Sequence, residues 1–329
     1  MEIIKMNQPA ADQDDTLLVA PPPLPDPGRR RMLGSAAAGT VGGLVAGLAG
    51  GVALAQDARQ PALPPRVGPR RFDGKVVLVT GGTSGIGRAA VWAFAAEGAR
   101  VSFCGRRDAA GQALVSAVTA AGGEAHYQHA DVLNEGEVRD FVNRTVQRLG
   151  RLDIAFNNAG ISIEKPLHEF GTDEWDRVQH TNVRGVFLAM KYELPHMMSA
   201  GGGVVLVTSS IAALGSHPGR SAYSASKRAL LGLVQGAALD YARHNIRINA
   251  LLPGTVDTPL VRGLAGMTEV PDAMWQVMAR QWAKLNVPGQ QRMATAEEIA
   301  AFALALCSDD FPYMTGSHMV LDGGKTSLG

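Results

Sequence analysis

The chain has 329 residues, 46% hydrophobic and 19% charged, with 31 basic against 30 acidic side chains for a net charge of +1. That length supports one large core or two smaller ones, and the balanced charge excludes a field that would draw in nucleic acid. Cys104 and Cys307 are too few for a disulfide framework or a zinc cluster, while 39 glycines and 5% aromatic residues speak against an aromatic-rich sugar or RNA platform and for an α/β chain with many tight turns.

In chain order, residues 1–27 carry Asp12, Asp14, Asp15 and Asp26 around a Pro21-Pro22-Pro23-Leu24-Pro25 run, with too little apolar surface to order by themselves. Gly28-Arg29-Arg30-Arg31-Met32-Leu33 then leads into an uncharged stretch that ends at Ala53-Leu54-Ala55, a small-residue site of the kind signal peptidase accepts. The pattern resembles a twin-arginine export signal, with Gly28 in place of the usual Ser or Thr and Gly34 where Lys is frequent. It implies delivery to the periplasm by an export machinery. Two alternatives stay open: residues 35–55 are long enough to remain as a membrane anchor, or the leader is vestigial and the protein cytoplasmic. The expected layout is a leader over 1–55, an extended linker over 56–72 with Pro61, Pro64, Pro65 and Pro69, and one catalytic domain over 73–329.

From Lys75 the periodicity changes. Short β-branched runs are expected to be strands at Lys75–Thr80, Arg100–Cys104, Glu124–His129, Leu152–Asn157, Gly203–Thr208, Arg247–Leu252 and His318–Leu321. Amphipathic stretches between them predict helices near Gly85–Glu97, Ala109–Ala121, Glu135–Leu149, Thr172–Ser199, Arg220–His244 and Ala296–Cys307. This alternation implies a single doubly wound α/β domain, a parallel sheet with helices on both faces and a ligand crevice beyond the strand C-termini.

The first strand runs into Thr80-Gly81-Gly82-Thr83-Ser84-Gly85-Ile86-Gly87, which opens a helix. Glycines here allow positive φ and close backbone approach, and a helix N-terminus presents free amides and a positive dipole end to a pyrophosphate. Tyr223 and Lys227 lie four apart, on one face of a helix. A phenol near pKa 10 is a poor acid or base at neutral pH, and a neighbouring ammonium would lower that value. At the end of the second strand stand Arg106 and Arg107 rather than an acid, which favours a 2′-phosphate and hence NADP, with NAD possible.

The Thr-Gly-x3-Gly-x-Gly spacing resembles the classical short-chain dehydrogenase/reductase family, and the resemblance continues over roughly Gly74–Gly324. It takes in Asp131-Val132, Asn157-Asn158-Ala159-Gly160, Asn182, Ser210, Tyr223-Ser224-Ala225-Ser226-Lys227, Pro253-Gly254-Thr255-Val256-Asp257-Thr258 and Leu321-Asp322-Gly323-Gly324. The resemblance implies a Rossmann-like, seven-stranded parallel sheet in the order 3-2-1-4-5-6-7, and an oxidoreductase that moves a hydride between a nicotinamide cofactor and a carbonyl or secondary alcohol, with Tyr223 as general acid/base and Lys227 beside it. Ser210 would orient the substrate, with Ser209 as the competing serine, and Asn182 would support a proton path. Cofactor contacts would come from Gly81, Thr83, Ser84, Gly85, Ile86, Gly87, Asp131, Val132, Asn158, Ala159, Gly160, Pro253, Gly254, Val256 and Thr258. A nucleotide-binding scaffold without catalysis, or an epimerase or dehydratase on the same fold, are the alternative functions.

Substrate choice is expected to lie in residues 161–170 and 259–290. The second segment carries Leu260, Leu264, Met267, Met274, Trp275, Met278 and Trp282, either a lid over a lipophilic or alicyclic substrate or plain packing. His217 faces that pocket or sits in a surface loop. The family resemblance also implies a homotetramer or homodimer.

Overall fold

A computed structural model describes residues 70–327, so the leader and its alternatives lie outside the described residues. Seven strands pair in parallel: β1 (Val76–Thr80), β2 (Arg100–Gly105), β3 (Glu124–His129), β4 (Ile154–Asn157), β5 (Gly203–Thr208), β6 (Ile246–Pro253) and β7 (His318–Leu321). Their order is β3-β2-β1-β4-β5-β6-β7, as the sequence predicts. The reversal of strand order between β1 and β4 opens a crevice at their C-terminal ends, where a doubly wound sheet binds ligands.

Every residue of β1 and β4 is buried, because helices cover both faces. On one side α1 (Gly85–Ala96), α2 (Asp108–Ala120) and α9 (Ala296–Cys307) pack Phe94, Leu114 and Leu304 against Val77 and Val79. On the other, α3 (Glu135–Leu149), α5 (Gly185–Ser199) and α6 (Ser221–Tyr241) pack Phe141, Met197 and Leu230 against Leu78. The period-two alternation of a strand divides β1 between the two cores. Ahead of the sheet, Phe72 is buried edge-on against Phe94, ring centres 5.1 Å apart.

The single long helix expected over Thr172–Ser199 is interrupted. It comprises α4 (Thr172–Gln179), a π turn at His180–Arg184, and α5. Asn182 lies in that turn with its side chain tied across the fold: Ile161 N–H donates to its Oδ1 at 2.8 Å, and its Nδ2 donates to Ile161 C=O at 2.9 Å and Ser226 Oγ at 3.0 Å. The wider turn aims one polar side chain inward for tertiary bonds, a common origin of π bulges at functional sites. The 259–290 segment holds two helices that the sequence reading left unassigned, α7 (Pro259–Leu264) and α8 (Asp272–Asn286). Thr258 caps α7 by accepting from Val261 N–H, and Pro259 supplies the preset φ of a first helical residue.

One buried acid sits beneath the crevice. Glu193 on α5 is fully buried, with Asn157 Nδ2 donating to its Oε2 at 2.8 Å while Glu193 Oε1 and Asn157 Oδ1 lack partners. Burial pushes its carboxyl up to about 8. A raised pKa in the folded state gives stability that is complete below the unfolded value near 4.5 and is lost as pH climbs through 8. Glu193→Gln offers an amide to the unpartnered Asn157 oxygen and does not titrate. We expect its Tm to stay level between pH 5 and pH 8.5 while the wild-type Tm declines, a difference of a few kcal/mol at the alkaline end, read by thermal melts across that range.

Candidate active site

Asn158, at the end of β4, ties the centre of the crevice together. Its backbone N–H and that of Ala159 donate to Thr80 Oγ1 at 3.0 and 3.2 Å, and Thr208 Oγ1 donates to its Oδ1 at 3.2 Å. β1, β4 and β5 are thereby locked where they meet. The sequence reading gave Thr80 no role, although it stands at the head of the glycine motif.

The glycine turn folds as a cradle. Gly81 and Gly85 take φ of +68° and +51°, and a Cβ at Gly81 would come within 2.8 Å of Ala159 Cα. Ser84 takes the N-cap position of α1 without a side-chain cap, so the first N–H groups of that helix face the crevice with no acceptor of their own. An anion fits there. Gly87 lies outside the cavity lining and packs the helix on the turn, since a Cβ there would collide with Gly81 O and lie 2.7 Å from Asn158 Nδ2.

A cavity of about 500 Å³ runs from this cradle along the strand ends. Gly81, Thr83, Ser84, Gly85 and Ile86 form one wall, and Arg106, Arg107, Asp131 and Val132 form its far end. Asn158, Ala159 and Gly160 line the middle, opposite Pro253, Gly254, Val256 and Thr258. Arg107 Nη2 donates to Thr83 Oγ1 at 3.1 Å, and Arg106 Nη1 lies 3.6 Å from Asp131 Oδ2. Asp108, the nearest acid after β2, turns away to accept from Tyr127 and pair with His129, which holds its carboxyl below the ordinary range.

Ser210, Tyr223 and Lys227 close the inner end of the same cavity. Lys227 is buried, donates from Nζ to Thr208 C=O at 2.8 Å, and burial pushes its ammonium down to about 8. Its Nζ sits 5.7 Å from the centre of the Tyr223 ring. The phenol is not made acidic by this lysine, contrary to the expectation from spacing. Burial raises the Tyr223 pKa, and the hydrogen bond from Ser210 works against the rise. Burial is the largest influence on the phenol, and Arg220 works against it with Ser210. Of the two serines, Ser209 is spent on a bond to Lys227 C=O at 2.8 Å. Ser210 accepts from Ala212 N–H at 3.1 Å and turns its own hydroxyl proton to Tyr223. Asn182 is outside the cavity lining and acts from behind: a Cβ on Gly160 would lie 3.3 Å from Asn182 Oδ1 and 3.4 Å from Lys227 Nζ.

Ser210 and Tyr223 also face a second cavity of about 920 Å³. Leu260, Leu264, Met267, Trp275, Met278 and Trp282 line it, whereas Met274 points outward, 54% exposed. Trp275 also packs into a small core with Ala279, Ala283 and Met293, the packing that the sequence reading allowed for this segment. Asp257 anchors the helix by accepting from Trp275 Nε1 and Gln276 Nε2, each at 2.7 Å. His217 lies exposed at the rim. Among the described residues no cluster of His, Cys, Asp or Glu is arranged to hold a metal.

A parallel sheet with this switch point, a glycine cradle and a Ser–Tyr–Lys group define a nucleotide-dependent oxidoreductase fold. The chain belongs to the short-chain dehydrogenase/reductase family, whose members work between alcohols and carbonyls with a nicotinamide cofactor. A family model described as enoyl-(acyl carrier protein) reductase matches residues 81–326. The chain is 37% identical over 269 residues to a 3β-hydroxysteroid dehydrogenase of Mediterraneibacter gnavus, covering 78% of this chain and 96% of the relative. It is 36% identical over 257 residues to a cyclopentanol dehydrogenase of Comamonas sp., covering 78% and 99%. The crystal structure of a levodione reductase superposes with a TM-score of 0.73 at 36% identity, covering 79% of this chain and all of that one.

Proposed function

We propose that Tyr223 gives a proton to, or takes one from, the oxygen of a ketone or secondary alcohol held by Ser210. The observation that carries this is the position of both residues where the cofactor-sized cavity meets the apolar one. Bound nicotinamide supplies the hydride and, when oxidised, a positive charge that favours the phenolate. The chain's own groups do the rest. With its pKa held up by burial, Tyr223 is protonated at neutral pH and ready to donate to a carbonyl oxygen. The Ser210 hydroxyl stabilises charge developing on that oxygen. Lys227, titrating near 8, replaces the proton, and Asn182 holds the turn that keeps Gly160 and Lys227 in place.

The cofactor we favour is NADP. Arg106 and Arg107 flank the far end of the cavity, and no acid at the end of β2 turns into it. Arg106→Asp should lower kcat/KM with NADP by about tenfold or more and raise it with NAD, as expected for loss of one charge-assisted contact. Steady-state kinetics with both cofactors decide it, and unchanged selectivity would remove Arg106 from the assignment.

For the substrate, the apolar lining from α7 and α8 and the relatives named for cyclopentanol and a hydroxysteroid support an alicyclic or similarly lipophilic ketone or alcohol. A panel of such compounds, screened in both directions with both cofactors, tests that reading. We further read residues 1–55 as an export leader for a periplasmic enzyme, on the Arg29-Arg30 pattern and the Ala53-Leu54-Ala55 site. Self-association through α5 and α6 is supported by Phe187 and Leu239, 48% and 81% exposed on those helices.

A further inference from the structure

The second cavity is apolar along α7 and α8, but its opposite wall is not. Arg220, the N-cap of α6 and one turn ahead of Tyr223, lines it, as do His217 and Lys325. Lys325 is half-buried. Its Nζ donates to Thr255 Oγ1 at 3.1 Å and lies 4.9 Å from the centre of the Trp282 ring. Among the described residues no carboxylate stands within ion-pair distance of it. Asp322 is near but spends its oxygens on Gly324 N–H, Thr326 N–H and the Thr326 hydroxyl. An ammonium has three protons to give, so Lys325 keeps donors for a ligand.

Glu164 neutralises Arg220 across 2.7 Å, leaving this wall with more basic than acidic groups. The imbalance is felt: Lys325 and Arg220 both push the His217 imidazole below its ordinary pKa, after burial, and Arg220 does the same to Lys325. A separate observation points the same way. Ser162 Oγ is buried against this cavity without any hydrogen-bond partner. A buried hydroxyl with no partner costs free energy that a ligand acceptor would recover.

We propose that the substrate is an apolar, ring-sized ketone or secondary alcohol bearing a carboxylate, held by Lys325 and the rim of Arg220 and His217, with its reacting oxygen at Ser210 and Tyr223. The proposal rests on the oxidoreductase reading of the same site. An anion would offset the uncancelled charge of Lys325 and accept from the idle donors of Lys325 and Ser162. Trp282 and Met278 would cover the ring.

The test uses the full chain with 4-oxocyclohexanecarboxylate and its methyl ester as paired probes. We expect kcat/KM to favour the acid by about tenfold or more, the worth of one charge-assisted hydrogen bond. Lys325→Met should bring the acid-to-ester ratio close to one, and Lys325→Arg should restore most of it. An ester used as well as the acid by the wild type, or a ratio that Lys325→Met leaves unchanged, overturns the proposal. Calorimetry with cyclohexanecarboxylate and cyclohexanecarboxamide gives a readout independent of turnover. Carboxylate binding that depends on Lys325, with neither ketone reduced by either cofactor, would uphold the anion site and sink the oxidoreductase reading. Turnover of both ketones without preference would do the reverse.

Discussion

Tyr223→Phe is expected to lose 10²–10⁴-fold in kcat/KM, the usual worth of a positioned general acid, while cofactor binding and Tm change little. The ring of Tyr223 keeps its place in the wall of the cavity, and the substitution removes one oxygen. That oxygen is the group that Ser210 faces and that burial keeps protonated. Lys227 would be a poor substitute, since it is buried with its Nζ 5.7 Å from the centre of the Tyr223 ring. Activity with an alicyclic ketone and NADPH, measured beside NADPH fluorescence titration, separates loss of chemistry from loss of binding. A variant retaining more than a tenth of the wild-type rate would place the proton donor elsewhere.

Gly87→Ala should be nearly as damaging by a different route. The added methyl would strike Gly81 O and the Asn158 amide, both held in backbone or in the β1–β4–β5 lock, so neither can swing aside. Relief requires α1 to move away from the turn. Overpacking of this kind costs about 1–3 kcal/mol of stability. Displacing the helix end also forfeits two or more charge-assisted contacts to a bound pyrophosphate, which weakens nicotinamide cofactor binding by about 100-fold. Titration of the variant with NADPH, alongside a melting curve, checks both effects. An unchanged dissociation constant would mean that the cradle does not hold the phosphates.

The sheet was legible because its signals are local: buried β-branched runs, helical periods between them, and a turn whose glycines need positive φ at Gly81 and Gly85. The interruption at His180–Arg184 was not, since nothing in the amphipathic period of 172–199 marks it. It is set by what Asn182 finds across the fold, at Ile161 and Ser226. The same holds for Glu193, whose neighbours in sequence suggest an ordinary helix surface. The spacing of Tyr223 and Lys227 placed them correctly on one helix face, but not their electrostatics, which depend on how much solvent the surrounding strands exclude. Ser209 and Ser210 are adjacent just after β5; alternation and the family's spacing favoured Ser210, and the bond that occupies Ser209, to Lys227 C=O, is visible only in the fold.

The two thiols lie on opposite sides of the sheet, Cys104 in the core under α3, α5 and α6 and Cys307 in the core under α1, α2 and α9. Burial pushes both up to about 12. With a continuous wall of strands between them and almost no thiolate at neutral pH, they can neither crosslink nor be alkylated while the sheet is intact. An alkylating reagent therefore acts on this enzyme as a counter of opening: each sulfur becomes reactive only when its own side of the sheet uncovers, and equal rates at the two would mark a single cooperative event.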